Sequence, residues 1–224
     1  MTNKEPREWV CYLHNQPCHV VYTDYRPVPL KHYIFPNGAD GIFLTVDDTG
    51  KFKDANFNSA MEHLKDASGA GSGPQPRGRK GGNVGDSACR KVVTMCLERE
   101  LVPVIVFSFS RKDCEGYAQD LARVDLLDEE QKKMVKEVFD SAIDVLSDED
   151  KNLPQVASIR PYLDKGIGIH HSGLLPILKE IIEILFGEGL IKALFATETF
   201  SMGLNMPART VVFTSCRKFD GKDF

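Results

Sequence analysis

Four short apolar runs, separated by patterns typical of helices, constrain the fold of this sequence more than any other feature. Residues 104–107 are apolar without interruption, as expected of a strand that is buried on both faces of a parallel sheet. The order of strands and helices predicts an α/β fold, doubly wound, with a mainly parallel sheet and helices on both faces. The predicted strands are 104–107, 166–170, 192–196 and 210–214. The predicted helices run from 86 or 87 to 99 and over 111–123, 128–146 and 176–186, with two shorter ones after Pro154 and after Ala196.

A different pattern precedes the α/β part, with short runs of β-branched and aromatic residues punctuated by turn residues. It predicts a short β-rich N-terminal segment with strands at 19–23, 32–35 and 42–46. A helix is predicted to follow over 56–65, because apolar residues recur there at spacings of three and four. The apolar face of this helix is expected to lie in the core. Its residues are Phe57, Ala60, Met61 and Leu64.

The composition changes abruptly after this helix. Seven of the eighteen glycines of the chain lie between residues 69 and 85. Such a segment predicts a flexible loop, here over residues 68–86. The basic side chains of Arg77, Arg79 and Lys80 could touch phosphate, but a solvated basic loop is the favoured interpretation.

The charge balance excludes one class of nucleic-acid binding. Lys and Arg number 28 against 32 Asp and Glu, which gives a formal net charge of −4. Bulk positive charge therefore cannot drive binding, and any nucleic-acid site must be local. The apolar runs are far shorter than the roughly 20 residues of a transmembrane helix. The charged N-terminus also lacks the apolar stretch of a secretory signal, so an intracellular protein without membrane contact is expected.

The six cysteines give no recognisable metal-binding spacing. Cys11 and Cys18, with His14 and His19 nearby, are the nearest candidate for a metal site. Reduced structural thiols are the favoured interpretation, and no metal site is predicted.

Ligands of doubly wound sheets bind beyond the carboxyl ends of the strands. The first such segment follows Phe107, where Ser110 is suited to cap a helix whose free amides can hold an anion. The neighbouring Phe109 and Arg111 make a base or phosphate contact as plausible an interpretation as capping alone.

The second segment contains two adjacent histidines, His170 and His171. Adjacent residues of a strand point to opposite faces, so the two rings cannot easily share a metal. One histidine is expected to be buried and hydrogen-bonded, while the other faces a ligand. Ser172 and Gly173 are predicted to form a tight turn with accessible backbone amides.

In the third segment, a buried strand runs into Thr197, Glu198 and Thr199. Hydroxyls and amides at a helix start are suited to a backbone phosphate. The alternative is a capping arrangement in a helix that stops at Gly203.

These segments resemble motifs of the superfamily 2 DExH-box RNA helicases, specifically of their second RecA-like domain. FSFSRKDC at 107–114 is similar to motif IV, FATETFSMGLNMPA at 195–208 to motif V, and GIGIHHSGLLP at 166–176 to a further family segment. YRPVPLKHYIFP at 25–36 and RKFDGKDF at 217–224 resemble the branch that works with the nuclear exosome. The cytoplasmic branch of the Ski complex is the nearest alternative.

The resemblance implies a role for each part of the chain. Residues 1–18 would lead in from the preceding domain, and 19–224 would form the second RecA-like domain, incomplete at its C-terminus. Single-stranded RNA would lie across the carboxyl ends of the strands, and Gly203 and Asn205 would face the cleft where the family binds ATP. Glu198 is the least suited to a direct contact, because a carboxylate repels phosphate. The residues implied at the RNA are Phe109, Ser110, Arg111, His171, Ser172, Gly173, Thr197, Glu198 and Thr199.

Several ATPase elements are not found in this chain. It contains no phosphate-loop motif and no DExH box, and the family places its arginine-rich motif VI beyond Phe224. A fragment without catalytic residues, inactive alone as an ATPase, is therefore expected. ATP and Mg²⁺ would be held mainly by the first RecA-like domain.

The resemblance also implies a cellular role. The parent would be an ATP-dependent 3′-to-5′ RNA helicase that feeds RNA to the nuclear exosome for processing and decay. Its partners would include a TRAMP-type poly(A) polymerase and a zinc-knuckle RNA-binding subunit, and it would lie in the nucleus, including the nucleolus. Two alternatives stay open: an RNA-binding module without a motor, and a small-molecule enzyme built on His170, His171 and Glu198, which lacks any nucleophile and base spacing.

Overall fold

The computed structural model describes residues 4–19, 21, 23, 28–36, 39, 41–69, 88–201 and 206–215. The chain divides into two units, Met1–Gly73 and Pro74–Phe224. No helix among the described residues is both long and apolar enough to span a membrane.

The first unit contains two helices and a pair of antiparallel strands. Strand β1 pairs with β2, and Tyr33 lies opposite Leu44. Two of the three predicted strands are thus confirmed, whereas the described residues of 19–23 form no strand. The elements are α1 (Lys4–His14), β1 (His32–Ile34), β2 (Phe43–Val46) and α2 (Asp54–Gly69).

Helix α2 confirms the helix predicted over 56–65 and extends it at both ends. Ala60 is buried, and Phe57, Met61 and Leu64 are half-buried, as expected for the apolar face. The helix continues to Gly69, so the loop predicted from residue 68 begins later. Residues 70–86 of that loop lie outside the described residues.

The second unit holds the predicted alternation of strands and helices. Every predicted strand is present with bounds within one residue. Its elements are α3 (Ala88–Glu98), β3 (Val104–Phe107), α4 (Arg111–Leu121), α5 (Glu129–Ile143), α6 (Asp148–Lys151), α7 (Pro154–Leu163), β4 (Ile167–His170), α8 (Pro176–Gly187), β5 (Ala193–Ala196), a 3-10 helix (Glu198–Ser201) and β6 (Thr210–Phe213).

The four strands of the second unit form one parallel sheet with the order β4-β5-β3-β6. Ala196 at the end of β5 lies opposite His170 of β4 and Phe107 of β3. Phe107 in turn lies opposite Phe213 of β6. The register therefore brings the carboxyl ends of all four strands to one edge of the sheet.

Helices cover both faces of this sheet, which confirms the doubly wound prediction. Alternate residues of each strand point to opposite faces. Thus Ile105 of β3 packs into the cluster formed with α5, α7 and α8. Val104 and Val106 pack into the cluster formed with α3 and α4. The two apolar layers hold the strand ends, and the loops that follow them, in a fixed arrangement.

Helix α5 begins and ends for identifiable local reasons. Its N-cap, Asp128, accepts a hydrogen bond from the Gln131 N–H, and the Gln131 side chain bonds back to the Asp128 backbone. The helix was predicted to reach residue 146 but ends at Ile143. Ser147 caps a new helix there, since its Oγ accepts a hydrogen bond from the Asp150 N–H at 3.2 Å.

Candidate nucleic-acid interface

The three segments singled out from the sequence follow three neighbouring strands, β4, β5 and β3. Backbone hydrogen bonds join the segments directly. The Thr197 N–H donates to the His170 carbonyl at 3.0 Å, and the Ser108 N–H donates to the Ala196 carbonyl at 3.0 Å. The predicted site residues of all three segments therefore lie along one edge of the sheet.

The first segment ends in the predicted capped helix. Ser110 is the N-cap of α4, and its Oγ accepts a hydrogen bond from the Asp113 N–H at 3.3 Å. The Ser110 N–H itself donates to the Oγ of buried Ser108 at 3.3 Å. The remaining amides of the first turn are those of Arg111 and Lys112, and both residues are exposed. Unpaired amides at a helix start favour an anion beside them.

The second segment is tied to the first by the side chain of Arg111. Its Nη2 donates to Ser172 Oγ at 2.6 Å, across 61 residues of chain. Ser172 and Gly173 are both exposed. The tight turn predicted at these residues is present, since the Leu174 N–H donates to the His171 carbonyl at 3.1 Å.

The buried ring of His171 is hydrogen-bonded to the backbone of this turn. Its Nδ1 accepts a hydrogen bond from the Gly173 N–H at 3.1 Å, and its Nε2 lies 3.2 Å from Glu115 Oε1. Because Nδ1 accepts, the ring proton is assigned to Nε2, which donates to the carboxylate of Glu115 on α4. In this tautomer the ring links α4 to the backbone of the turn.

Gly173 has little room for a side chain. A Cβ atom there would lie 3.2 Å from both Cε1 and Nδ1 of His171, and 3.3 Å from Nη1 of Arg111. Glycine thus allows the turn to pass close to both side chains.

The two histidines do point to opposite faces, as predicted. However, the expectation that one of them faces a ligand is wrong, because both are buried. His171 packs toward Glu115 on α4, whereas His170 packs toward Glu183 on α8. His171 can therefore act on a ligand at this edge only by holding the turn.

His170 is a buried titratable group with an unusual environment. Its Nε2 lies 2.8 Å from Glu183 Oε1, and its ring meets that of Phe200 edge to face with centroids 4.7 Å apart. Its Nδ1 has no hydrogen-bond partner within the described part of the chain. Burial lowers the pKa of His170 below its usual value, which outweighs the opposing effect of Glu183.

This shift predicts a pH dependence of stability. Because the folded pKa lies below the unfolded one, the unfolded chain takes up a proton first as the pH falls below about 6.5. His170 is then expected to lower the free energy of unfolding by at most about 1.4 kcal/mol per pH unit below that value. Far-UV circular dichroism of urea unfolding at about pH 7, 6 and 5 measures this slope. A His170→Asn variant should show a shallower slope, and an identical slope in both proteins would contradict the prediction.

In the third segment, the hydroxyls of Thr197 and Thr199 are paired at 3.1 Å. Thr197 is buried, while Glu198 and Thr199 are exposed at the start of the 3-10 helix. The helix was predicted to end at Gly203. Gly203 and the second residue implied at the ATP cleft, Asn205, lie outside the described residues.

Phe109 lies where the first and third segments meet. Its side chain is 45% exposed, and it lines a shallow pocket of about 170 Å³. The ring of Phe107 stacks on that of Phe213 in the same pocket, with centroids 5.6 Å apart. An apolar floor next to hydroxyls and amides is suited to a nucleobase beside its phosphate. The pocket is lined by Phe107, Ser108, Phe109, Glu198 and Phe213.

Two residues that shape this edge were not found from the sequence. Glu115 holds the ring of His171, and Gln155 on α7 bonds to the backbone of the turn on either side of Leu174. Both lie far along the chain from the turn, in helices whose local patterns indicate only an exposed polar residue. No sequence signal identifies either contact.

The described residues contain neither a cluster of metal ligands nor a disulfide. No group of three or more His, Cys, Asp or Glu side chains is placed there to hold a metal ion. The five described cysteines are free thiols, in agreement with the prediction of reduced structural cysteines. Burial raises the pKa of both Cys89 and Cys114 to about 12, so neither is a ready nucleophile.

Similarity to known proteins extends along nearly the whole chain. The chain is 65% identical to human "Exosome RNA helicase MTR4" over 217 residues, 97% of the chain and 21% of that protein. It is 53% identical to "DExH-box ATP-dependent RNA helicase DExH9" of Arabidopsis thaliana over 226 residues, 99% of the chain and 23% of that protein. It is 40% identical to "Superkiller complex protein 2" of Mus musculus over 225 residues, 97% of the chain and 18% of that protein. No protein-family model matches the chain.

One class of protein fits both the fold and the similarities. The chain has a parallel α/β sheet with its candidate residues along one edge, and it is similar to RNA helicases over nearly its whole length. The chain matches a segment of DExH-box RNA helicases over nearly its whole length. Within that family, its similarity to human MTR4 is much greater than its similarity to mouse Superkiller complex protein 2. The chain spans about a fifth of the length of these curated relatives.

Proposed function

We propose that this chain is the RNA-binding part of the second RecA-like domain of an ATP-dependent RNA helicase. The observation that carries the proposal is the placement of Ser110, the Ser172–Gly173 turn and Thr199 just after three neighbouring strands, at the carboxyl ends of one parallel sheet. Hydroxyls and amides in such a row bind the backbone of a single strand without reading its sequence. Sequence-independent contacts suit a motor that moves along any RNA.

ATP and Mg²⁺ belong to the proposal for the parent protein. ATP would supply the energy for movement along RNA, and both would be held mainly by a domain outside this chain. The described residues contain no phosphate loop, and this chain would contribute one wall of the cleft through Gly203 and Asn205.

Assembly with the nuclear exosome is the finer part of the proposal. It is supported by 65% identity to a relative that is named for the exosome, against 40% to the superkiller relative. We place the parent protein in the nucleus, including the nucleolus, with a TRAMP-type poly(A) polymerase and a zinc-knuckle RNA-binding subunit as partners. Affinity purification of the parent protein from nuclear extract tests this part, and recovery of cytoplasmic Ski components alone would favour the alternative.

Removal of one hydroxyl from the edge tests the RNA contact. A Thr199→Val variant of the parent protein should bind single-stranded RNA at least about tenfold more weakly, because hydrogen bonds to charged groups contribute about 1.5–3 kcal/mol. The loss should be the same at every salt concentration, since no charge is removed. A Lys112→Gln variant should instead make the dependence on salt shallower by about 0.7 in the log–log slope for a single strand. Thr94→Val, on α3 and away from the edge, is the matched control.

Unwinding assays on the same proteins test the motor. The parent protein is expected to unwind a duplex with a 3′ overhang in the presence of ATP, and not one with a 5′ overhang. RNA binding without ATP-dependent unwinding would favour an RNA-binding module that lacks a motor. A Thr199→Val variant with unchanged RNA affinity would contradict the proposed contact.

A further inference from the structure

The turn between β4 and α8 cannot supply all of its own hydrogen bonds. Within it, the Leu174 N–H donates to the His171 carbonyl, and the Gly173 N–H donates to the His171 ring. Helix α8 then begins after Leu175, an N-cap without any side-chain cap. The Gly173 carbonyl and the Leu175 N–H remain to be paired.

One side chain from another helix pairs both of these groups. Gln155, in the first turn of α7, donates from Nε2 to the Gly173 carbonyl at 2.9 Å. Its Oε1 accepts from the Leu175 N–H at 2.7 Å. The carboxamide thus bridges the backbone on either side of Leu174, whose side chain is buried.

These two bonds complete a set of contacts that hold the turn from three sides. Arg111 binds the Ser172 hydroxyl from α4, His171 binds the Gly173 N–H from below, and Gln155 binds the following backbone from α7. The exposed Ser172 and Gly173 are therefore fixed in one orientation at the sheet edge. Such preorganisation removes the entropy cost of ordering the turn when a ligand binds.

We infer that Gln155 is a positioning residue for RNA binding, acting through the backbone of the Ser172–Gly173 turn. The inference rests on the proposed function, because it takes this turn as part of the RNA track. Gln155 itself makes no contact with the RNA in this account.

A carboxamide suits this position because it offers one hydrogen-bond donor, for the Gly173 carbonyl, and one acceptor, for the Leu175 N–H. A Gln155→Ala variant loses both bonds and is expected to bind RNA about five- to tenfold more weakly, as the turn becomes free to move. A Gln155→Glu variant keeps the acceptor for Leu175 but sets a carboxylate against the Gly173 carbonyl. When that carboxylate takes up a proton, near its ordinary pKa of about 4.3, it again offers one donor and one acceptor.

The test is therefore RNA affinity as a function of pH. The parent protein and its variants are titrated with a fluorescent oligouridylate, whose bases do not protonate in the acid range used. Relative to the wild type at each pH, Gln155→Glu should bind weakly at about pH 7 and recover toward wild-type affinity at about pH 4.5. Ser158→Glu, on the exposed face of α7 next to Gln155, controls for the added charge and should show no such recovery.

Hydrogen exchange gives a second measurement that does not depend on RNA. The Leu175 amide should exchange faster in Gln155→Ala than in the wild type, and remain protected in Ser158→Glu. If all three proteins protect this amide equally, the hydrogen bond to Gln155 does not hold the turn and the inference is wrong.

The outcomes separate this inference from the proposed function. A wild-type protein that does not bind oligouridylate would contradict the proposed function. Wild-type binding that Gln155→Ala leaves unchanged, despite faster exchange at Leu175, would overturn the positioning role alone. Equal pH dependence in Gln155→Glu and Ser158→Glu would also overturn it, since charge rather than turn geometry would then explain the effect.

Discussion

Replacing Gly173 with valine is expected to weaken binding of single-stranded RNA by about 5- to 150-fold, the equivalent of about 1–3 kcal/mol of overpacking. The new Cβ would lie 3.2 Å from the His171 ring and 3.3 Å from the Arg111 guanidinium. The His171 ring has no room to withdraw, because it is buried and bonded to Glu115. The turn itself must therefore move, which breaks the Gly173 N–H bond to Nδ1 and displaces Ser172 from Arg111.

The matched control is valine at Gly116, in the exposed part of α4. A Cβ there meets no atom within 4 Å, so RNA affinity should be unchanged. Fluorescence anisotropy with a labelled single-stranded RNA measures both variants. Equal affinities for the two valine variants would show that the close approach at Gly173 is not needed for binding.

Truncation of Phe186 to alanine should cost about 3–5 kcal/mol of unfolding free energy. Phe186 is fully buried in α8 and meets Phe200 edge to face, with ring centroids 6.2 Å apart. The variant loses this apolar surface and leaves a cavity in the cluster between α8 and the sheet. Because native domains are stable by only about 5–15 kcal/mol, this loss is a large fraction of the total.

Ile184 provides the control on the same helix, since its side chain is 47% exposed. An Ile184→Ala variant should lose less than about 1 kcal/mol. Urea unfolding should be followed by far-UV circular dichroism, because the single tryptophan, Trp9, lies in the first unit and α8 in the second. Similar losses of unfolding free energy in both variants would mean that α8 does not bury the face that carries Phe186.

The sheet could be predicted from the sequence because its strands carry a strong local signal. Buried parallel strands are continuous apolar runs, and all four were found within one residue of their observed bounds. The short helix at 148–151 was missed because four residues leave no periodicity to detect. Helix α1 was also missed, although Trp9, Val10 and Leu13 stand at helical spacing.

The candidate site was predictable only in part. Parallel strands bring their carboxyl ends to one edge, so the placement of Ser110, Ser172 and Thr199 along that edge followed from the fold class. The burial of both His170 and His171 did not follow from the fold class. Strand alternation predicted opposite faces, but both rings are buried, and each is bonded to a glutamate, Glu115 or Glu183, on a helix on its own side of the sheet.

The supporting contacts are long-range, and this explains why the sequence did not show them. Gln155 lies 18 residues from Gly173 and 20 from Leu175, and its role depends on how α7 packs beside β4. Arg111 was predicted as a contact to RNA, yet its Nη2 is bonded to Ser172 in the structure. An arginine that binds the turn through one nitrogen can still offer its other donors to phosphate.

The most direct test of the account is a photo-crosslinking map of RNA on the parent protein. A single-stranded oligouridylate that carries 4-thiouridine is irradiated in the complex, and the crosslinked peptides are identified by mass spectrometry. Crosslinks are expected at residues 109–112, 172–173 and 197–199, and they should be lost together when RNA is outcompeted. Crosslinks confined to the basic residues 77–80, with none at the carboxyl ends of the strands, would contradict it.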